Sequence, residues 1–297
     1  MTAHLKGLIP NTVTPMNEQG RPDATGIRNL TEFLINSGVG GLWVLGSAGE
    51  DVHVGLNDRI QVVKETVRAA AGRVPVIAGI GPSCLTDALW YAEALGQDQP
   101  DAYHSLPYDL KMDDATLVRH MTRLAEGLPR PLWLYHNPKR GKAISIPVAR
   151  ELREHPKIAG LKMGGYNLSE LWSVMGLARD DFQVSGAGGG QMFPLLAMGA
   201  TIHMTSDANC YPEIFLELWR LFDSGDLDAA RAMQRRINAL SAAIPRTGNG
   251  EYAAEEKYIL SRRGVIQPHV NPSYRTLNST EQSVLDKVLK DFGFPWA

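Results

Sequence analysis

Short runs rich in β-branched residues alternate along the chain with longer stretches in which apolar positions recur at helical spacing. This alternation is the pattern of βα units wound onto a parallel sheet. Eight runs read as strands, at 7–14, 41–45, 74–78, 101–106, 132–135, 158–162, 182–185 and 200–205. The stretches between them carry one apolar face each, for example Ile27, Leu30, Phe33 and Leu34, or Ile60, Val63, Val67 and Ala70. Joints containing Gly or Pro, at 37–41 and 71–75 among others, separate helix ends from the strands that follow. A unit occupies roughly 25 to 35 residues, as a βα repeat requires. No Pro-, Gly- or Ser-rich linker divides the chain.

Beyond residue 205 the rhythm changes. Helical patterns follow one another at 212–224, 227–243 and 252–263 with no strand between them. A last one spans 279–292, with Ser279-Thr280-Glu281 as its expected N-terminal cap. The chain therefore reads as an α/β protein, a (β/α)8 TIM barrel over residues 1–225 followed by a C-terminal helical extension over 226–297. A doubly wound sheet is the competing arrangement, but eight parallel strands with no edge or crossover signal favour closure.

Composition narrows the function more than the fold. The 297 residues are 44 % apolar and 21 % charged, with 30 Lys and Arg against 32 Asp and Glu and a formal charge of −2. Such a chain can bury a large core. Without a dense basic run it has no electrostatic footprint for nucleic acid or for an anionic membrane surface. No apolar run approaches about 18 residues. Residues 1–10 lack the basic start and long apolar segment of a signal peptide, so a cytoplasmic protein is expected. Cys84 and Cys210 stand far apart and the 8 histidines are scattered singly, so neither a disulfide nor a metal site is expected. The glycine run at 186–190 invites a dinucleotide, yet Gln191 stands where that motif needs a sixth-position Gly, and the run belongs to the seventh unit rather than the first. No cofactor is expected.

In a TIM barrel the reacting groups sit at the C-terminal ends of the strands. There the run Ile158-Ala159-Gly160-Leu161-Lys162-Met163 is an apolar strand interrupted by one lysine. A buried amine is destabilised in its charged form and can serve as a nucleophile toward a carbonyl. Alternatively, its ammonium emerges into solvent at the strand end. Tyr135 ends the neighbouring fifth strand, where a phenol can move protons to and from a reacting carbon. The turn Gly46-Ser47-Ala48-Gly49-Glu50 follows the second strand, and its glycines let the main chain approach a ligand.

These elements in this order resemble the pyruvate-dependent Schiff-base lyases and aldolases typified by dihydrodipicolinate synthase and N-acetylneuraminate lyase. The resemblance covers essentially the whole chain. It rests on Val13-Thr14-Pro15-Met16 with Gly20, Gly46 to Glu50, Tyr135-His136-Asn137-Pro138, Gly160-Leu161-Lys162-Met163, Ala208-Asn209 and Leu277-Asn278-Ser279-Thr280-Glu281. It implies that Lys162 forms an imine with pyruvate or another 2-oxo acid. Tyr135 would act as general acid and base, with Ser47 relaying protons to it. The N–H groups of Ser47 and Ala48, beside Gly46, would hold the substrate carboxylate. Gly186 and Met204, at the ends of the seventh and eighth strands, complete the expected substrate-binding set. A homo-oligomer, dimer or tetramer, is also implied.

The departures from the family pattern carry information too. Ala48 replaces a threonine whose hydroxyl also touches the carboxylate, a contact worth about 1.5–3 kcal/mol. After strand four, synthases carry two tyrosines, the second completing a proton relay in the partner subunit. Here Tyr108 and Asp109 stand in their place, and a one-residue shift would give either of them the second position. Arg140 falls where dihydrodipicolinate synthases hold the second substrate's carboxylate. Its other reading is a solvated arginine beside Lys139 and Lys142. The leading expectation is a Schiff-base lyase performing aldol cleavage, condensation or dehydration on a small 2-oxo acid. Dihydrodipicolinate synthase proper, a sugar-acid dehydratase and a non-catalytic 2-oxo acid sensor are the alternatives.

Overall fold

The computed structural model describes residues 4–246 and 253–296. Eight parallel strands, β1 (Gly7–Pro10), β2 (Leu42–Val44), β3 (Val76–Gly79), β4 (Ala102–Ser105), β5 (Leu132–His136), β6 (Ile158–Met163), β7 (Gln183–Ala187) and β8 (Ile202–Thr205), form one sheet. Seven helices connect them: α1 (Ala24–Ser37), α2 (Leu56–Ala70), α3 (Leu85–Ala94), α4 (Asp114–Gly127), α5 (Ile146–Leu152), α6 (Leu168–Met175) and α7 (Met192–Ala197). The ladder runs from β2 through β3 to β8 and on to β1, and a single bridge from Asn11 to Trp43 joins β1 to β2 and closes the barrel. Every expected strand is present. The first is shorter than its apolar run because beyond Asn11 the chain leaves the ladder to hold the β2 turn, with the Thr12 N–H on the Trp43 carbonyl and the Thr14 hydroxyl on the Gly49 carbonyl.

Alternation along each strand sorts its side chains into two layers. Ile9, Trp43, Ile77, Ala102, Trp133, Tyr135, Ala159, Ile202 and Met204 pack together inside the barrel. Their neighbours Leu8, Val44, Leu134, Leu161 and Val184 pack outward in the larger core that the helices cover. The indole of Trp133 occupies the space a side chain at residue 160 would need, since a Cβ there would lie 2.9 Å from it. Gly160 is therefore a packing requirement within the strand that carries Lys162.

Past β8 come α8 (Pro212–Asp223), α9 (Leu227–Ala243), α10 (Ala253–Arg262) and α11 (Ser279–Asp291), close to the helical patterns in the sequence. Tyr252, where the third pattern starts, lies outside the described residues. The cap of α11 is Asn278 rather than Ser279-Thr280-Glu281: the Asn278 side chain accepts the Glu281 N–H while Glu281 accepts the Asn278 N–H. Asn278 has the extended backbone that a cap needs, and Glu281 is the reciprocal member of the box.

One buried ion pair ties this C-terminal part to the barrel mouth. Lys257 of α10 and Glu50, which follows the β2 turn, are 0 % and 2 % exposed and 2.5 Å apart. Glu50 also accepts the Asn271 N–H at 2.7 Å, and the Lys257 ammonium donates to the His269 carbonyl at 2.8 Å. Burial draws the ammonium below its ordinary pKa, and Glu50 opposes that shift. Removing one member of such a pair leaves an uncompensated buried charge, at a penalty of about 3–5 kcal/mol. Lys257→Met should therefore lower urea-unfolding stability by about that amount, and adding Glu50→Gln should recover part of it. A loss under about 1 kcal/mol would assign the pair no structural weight.

Candidate active site

Lys162 is the inward-facing residue near the end of β6, and it is only 3 % exposed. Its ammonium lies 4.1 Å from the ring centre of Tyr135 and 4.8 Å from that of Trp43. Aromatic faces are negative, so they give back part of what the amine loses by leaving water. Trp43 is held in turn by His104, stacked at 4.0 Å, and by edge contacts with Trp133 and Tyr135. Gly46 is close-packed on the same indole, where a Cβ would fall 3.0 Å from Nε1. Strand pairing sets Lys162 level with Tyr135 on one side and with Ser185 on the other.

From the tyrosine a chain of contacts leads outward. The Tyr135 and Ser47 hydroxyls are 3.1 Å apart, and the Asn137 side-chain amide donates to Tyr135 at 3.4 Å. The Arg140 guanidinium donates to Ser47 Oγ at 2.5 Å and to Asp51 Oδ1 at 2.9 Å. The Tyr108 hydroxyl donates to Asp51 Oδ2. Burial, reinforced by the Asp51 charge, pushes the Tyr108 phenol above its usual range, so it is a proton donor here at neutral pH.

The turn that carries Ser47 is bracketed by two non-glycine residues in the left-handed region, Leu45 at φ 59° and Glu50 at φ 56°. Such positions are strained and recur where a site needs a fixed backbone. Residues 47–49 form a single 3-10 turn closed by Gly49 N–H on the Gly46 carbonyl. The N–H groups of Ser47 and Ala48 are at its start, where the turn itself supplies no acceptor.

The description of the dihydrodipicolinate synthetase family matches residues 4–292. The chain belongs to that family. The 4-hydroxy-tetrahydrodipicolinate synthase of Nitrosospira multiformis is 31 % identical over 297 residues, which is 99 % of this chain and 97 % of that one. The dihydrodipicolinate synthase of Bacteroides thetaiotaomicron superposes with a TM-score of 0.91 at 28 % identity, over 98 % of this chain and 100 % of the other. A sialic acid aldolase of Ruminococcus gnavus, solved as a catalytic-lysine mutant, shares the fold with a TM-score of 0.90 at 20 % identity, over 97 % of this chain and 95 % of its own. This family member is a dihydrodipicolinate-synthase-like lyase.

The fold brings Lys162, Tyr135, Ser47, Gly46, Ala48, Arg140 and Tyr108 to one mouth, and Met204 packs into the layer with Tyr135. Two expected residues are elsewhere. Asp109 is exposed and accepts the Lys111 N–H within its own loop, so between the two candidates it is Tyr108 that reaches this chain's mouth. A Cβ on Gly186 would meet His203 and Leu195 of the outer layer, so only the main chain of Gly186 can face a ligand. Arg140 is turned inward, 14 % exposed, whereas Lys142 of the same loop pairs with Asp114. His136 is a wall residue, stacked on Tyr166 and accepting the Ile144 N–H.

Four residues of the mouth were not singled out from sequence. Asp51, 1 % exposed, looks on paper like an acid opening a solvated helix. Trp43 and His104 look like core, and Ser185 like a strand end, although its buried hydroxyl has no partner among the described residues. The signal available beforehand was the position of Asp51 immediately after the glycine turn. No group of three or more potential metal ligands occurs among the described residues, and none of their helices is long and apolar enough to cross a membrane.

His104 offers a titration check. Burial, then the Lys162 charge, holds its imidazole well below 6.5. The unfolded chain takes up this proton near 6.5 and the folded one only well below it, so stability begins to fall at that value and goes on falling until the folded imidazole is protonated. In ring-proton NMR spectra the His104 signals should stay unshifted from about pH 8 down to about pH 5.5. A midpoint near the free value would show an imidazole in contact with water.

Proposed function

We propose that this chain is a class I lyase that forms an imine between Lys162 and the carbonyl carbon of pyruvate or another 2-oxo acid. The juxtaposition of a buried strand lysine with the Tyr135–Ser47 hydroxyl pair carries this reading. The nitrogen lone pair of neutral Lys162 adds to the carbonyl carbon, and the oxygen takes a proton from Tyr135. The proton that the nitrogen sheds after addition, relayed through Tyr135, then lets that oxygen leave as water, giving the iminium. The positive nitrogen then accepts the electron pair of a neighbouring C–C or C–H bond, which makes aldol cleavage, its reverse, or loss of a β-leaving group accessible.

Tyr135 suits the proton traffic because its hydroxyl is bonded to Ser47 and Asn137 while its ring lies against the amine. The Arg140 guanidinium on Ser47 Oγ makes that hydroxyl a better donor toward a developing tyrosinate. The substrate carboxylate is assigned to the Ser47 and Ala48 N–H groups, with no hydroxyl at position 48 to add a further bond.

Pyruvate with borohydride should leave a reduced adduct on Lys162, read by peptide mass. Absence of an adduct with pyruvate and with longer 2-oxo acids would reject the imine. Tyr135→Phe should still trap pyruvate while turnover falls by about 10²–10⁴. Unchanged turnover would remove Tyr135 from the mechanism.

A further inference from the structure

We infer that Asp51 determines which 2-oxo acids the mouth accepts, favouring a distal end that carries hydroxyl groups over one that carries a second carboxylate. This deepens the reading above and rests on imine formation at Lys162. The observation is the way Asp51 is held. One carboxylate oxygen takes the Arg140 guanidinium at 2.9 Å and the other takes the Tyr108 hydroxyl. Its main-chain carbonyl takes the Arg59 guanidinium from behind. Oδ1 also accepts the Val52 N–H at 3.0 Å, so with 1 % of its side chain exposed and three bonds to its oxygens the carboxylate cannot swing aside.

Arg140 is thereby given two tasks at once. The same Nη1 that pairs with Asp51 donates to Ser47 Oγ, so the guanidinium lies on the hydroxyl that serves Tyr135. To greet a second carboxylate it would have to leave Ser47 and abandon a buried Asp51, or else admit a second anion beside that carboxylate. Two carboxylates around one guanidinium in a poorly hydrated site repel each other, and stripping water from the incoming anion adds to the penalty. Arg59 does not reverse this, because its guanidinium is turned to the carbonyls of Asp51 and Gly79. Hydroxyl groups face no such conflict. They can donate to Asp51 and accept from Arg140 or Asn137 without importing charge.

The test compares two six-carbon probes, 2-oxo-3-deoxy-D-gluconate and 2-oxoadipate, which differ in a hydroxylated against a carboxylated distal end. The readout is the concentration giving half-maximal borohydride-trapped adduct on Lys162, with cleaved and intact adducts counted together. The wild-type chain should be half-saturated by the hydroxylated probe at a concentration at least about tenfold lower. Asp51→Asn should narrow that ratio by about tenfold, because the fixed negative charge that repels a second carboxylate is then gone, whereas Asp51→Glu should keep the wild-type preference. Asp51→Ser removes the same charge with a smaller side chain and stands in should the Asn variant not fold. A wild-type preference for 2-oxoadipate, or a ratio unchanged by removal of the Asp51 charge, would overturn the assignment while leaving the imine reading intact. No adduct with either probe or with pyruvate would remove both.

Discussion

The structure depends on keeping one amine inside the barrel. Lys162 lies 3 % exposed at the end of a strand whose inward neighbours, Trp43, Trp133, Tyr135 and Met204 among them, are apolar or aromatic. Burial is costly to its ammonium, and the faces of Trp43 and Tyr135 give back part of what it loses by leaving water. The imine chemistry proposed for Lys162 takes the amine between its two charge states, and both influences bear on that exchange. The aromatic layer that supplies them is also the packing of the barrel interior, so stability and chemistry rest on the same rings.

Those rings need a backbone that makes room for them and a turn that brings Ser47 to Tyr135. The turn is strained at both ends, and each non-glycine residue in the left-handed region carries a penalty of about 1–2 kcal/mol. The strain persists because Glu50 is fixed by Lys257 and by the Asn271 N–H, and Gly49 by the Thr14 hydroxyl. The helices past β8 are thus part of the site's support, and α10 in particular acts at the mouth without contributing a reacting group. Asp51, next in the chain, uses the same rigid frame to hold Arg140 and Tyr108.

Much of the fold was legible because the two periodicities are local and are repeated eight times. Errors were of register and of ends. The first strand stops early because Thr12 and Thr14 spend their hydrogen bonds on the neighbouring turn, and the last helix is capped one residue earlier than Ser279 because Asn278 has the extended backbone. Lys162 was legible as a charge in an apolar run, and Tyr135 and Ser47 through the shared order of their motifs. Gly186 was placed by its distance along the strand, whereas alternation directs its Cα face outward. Tyr108 reaches Asp51 while Asp109 stays within its own loop, a difference of one residue of loop register that no local pattern encodes.

What the sequence by itself determined was the order and kind of elements and which side chains are candidates for the chemistry. Propensity and alternation act over a few residues, and a lysine among β-branched neighbours is an anomaly visible without coordinates. What only the tertiary structure decided was the pairing of charges: Glu50 with Lys257, and Arg140 with Asp51 rather than with solvent. Coulomb attraction and hydrogen bonding change steeply over an ångström, and these partners come within range only when the barrel closes and the C-terminal helices pack against its mouth.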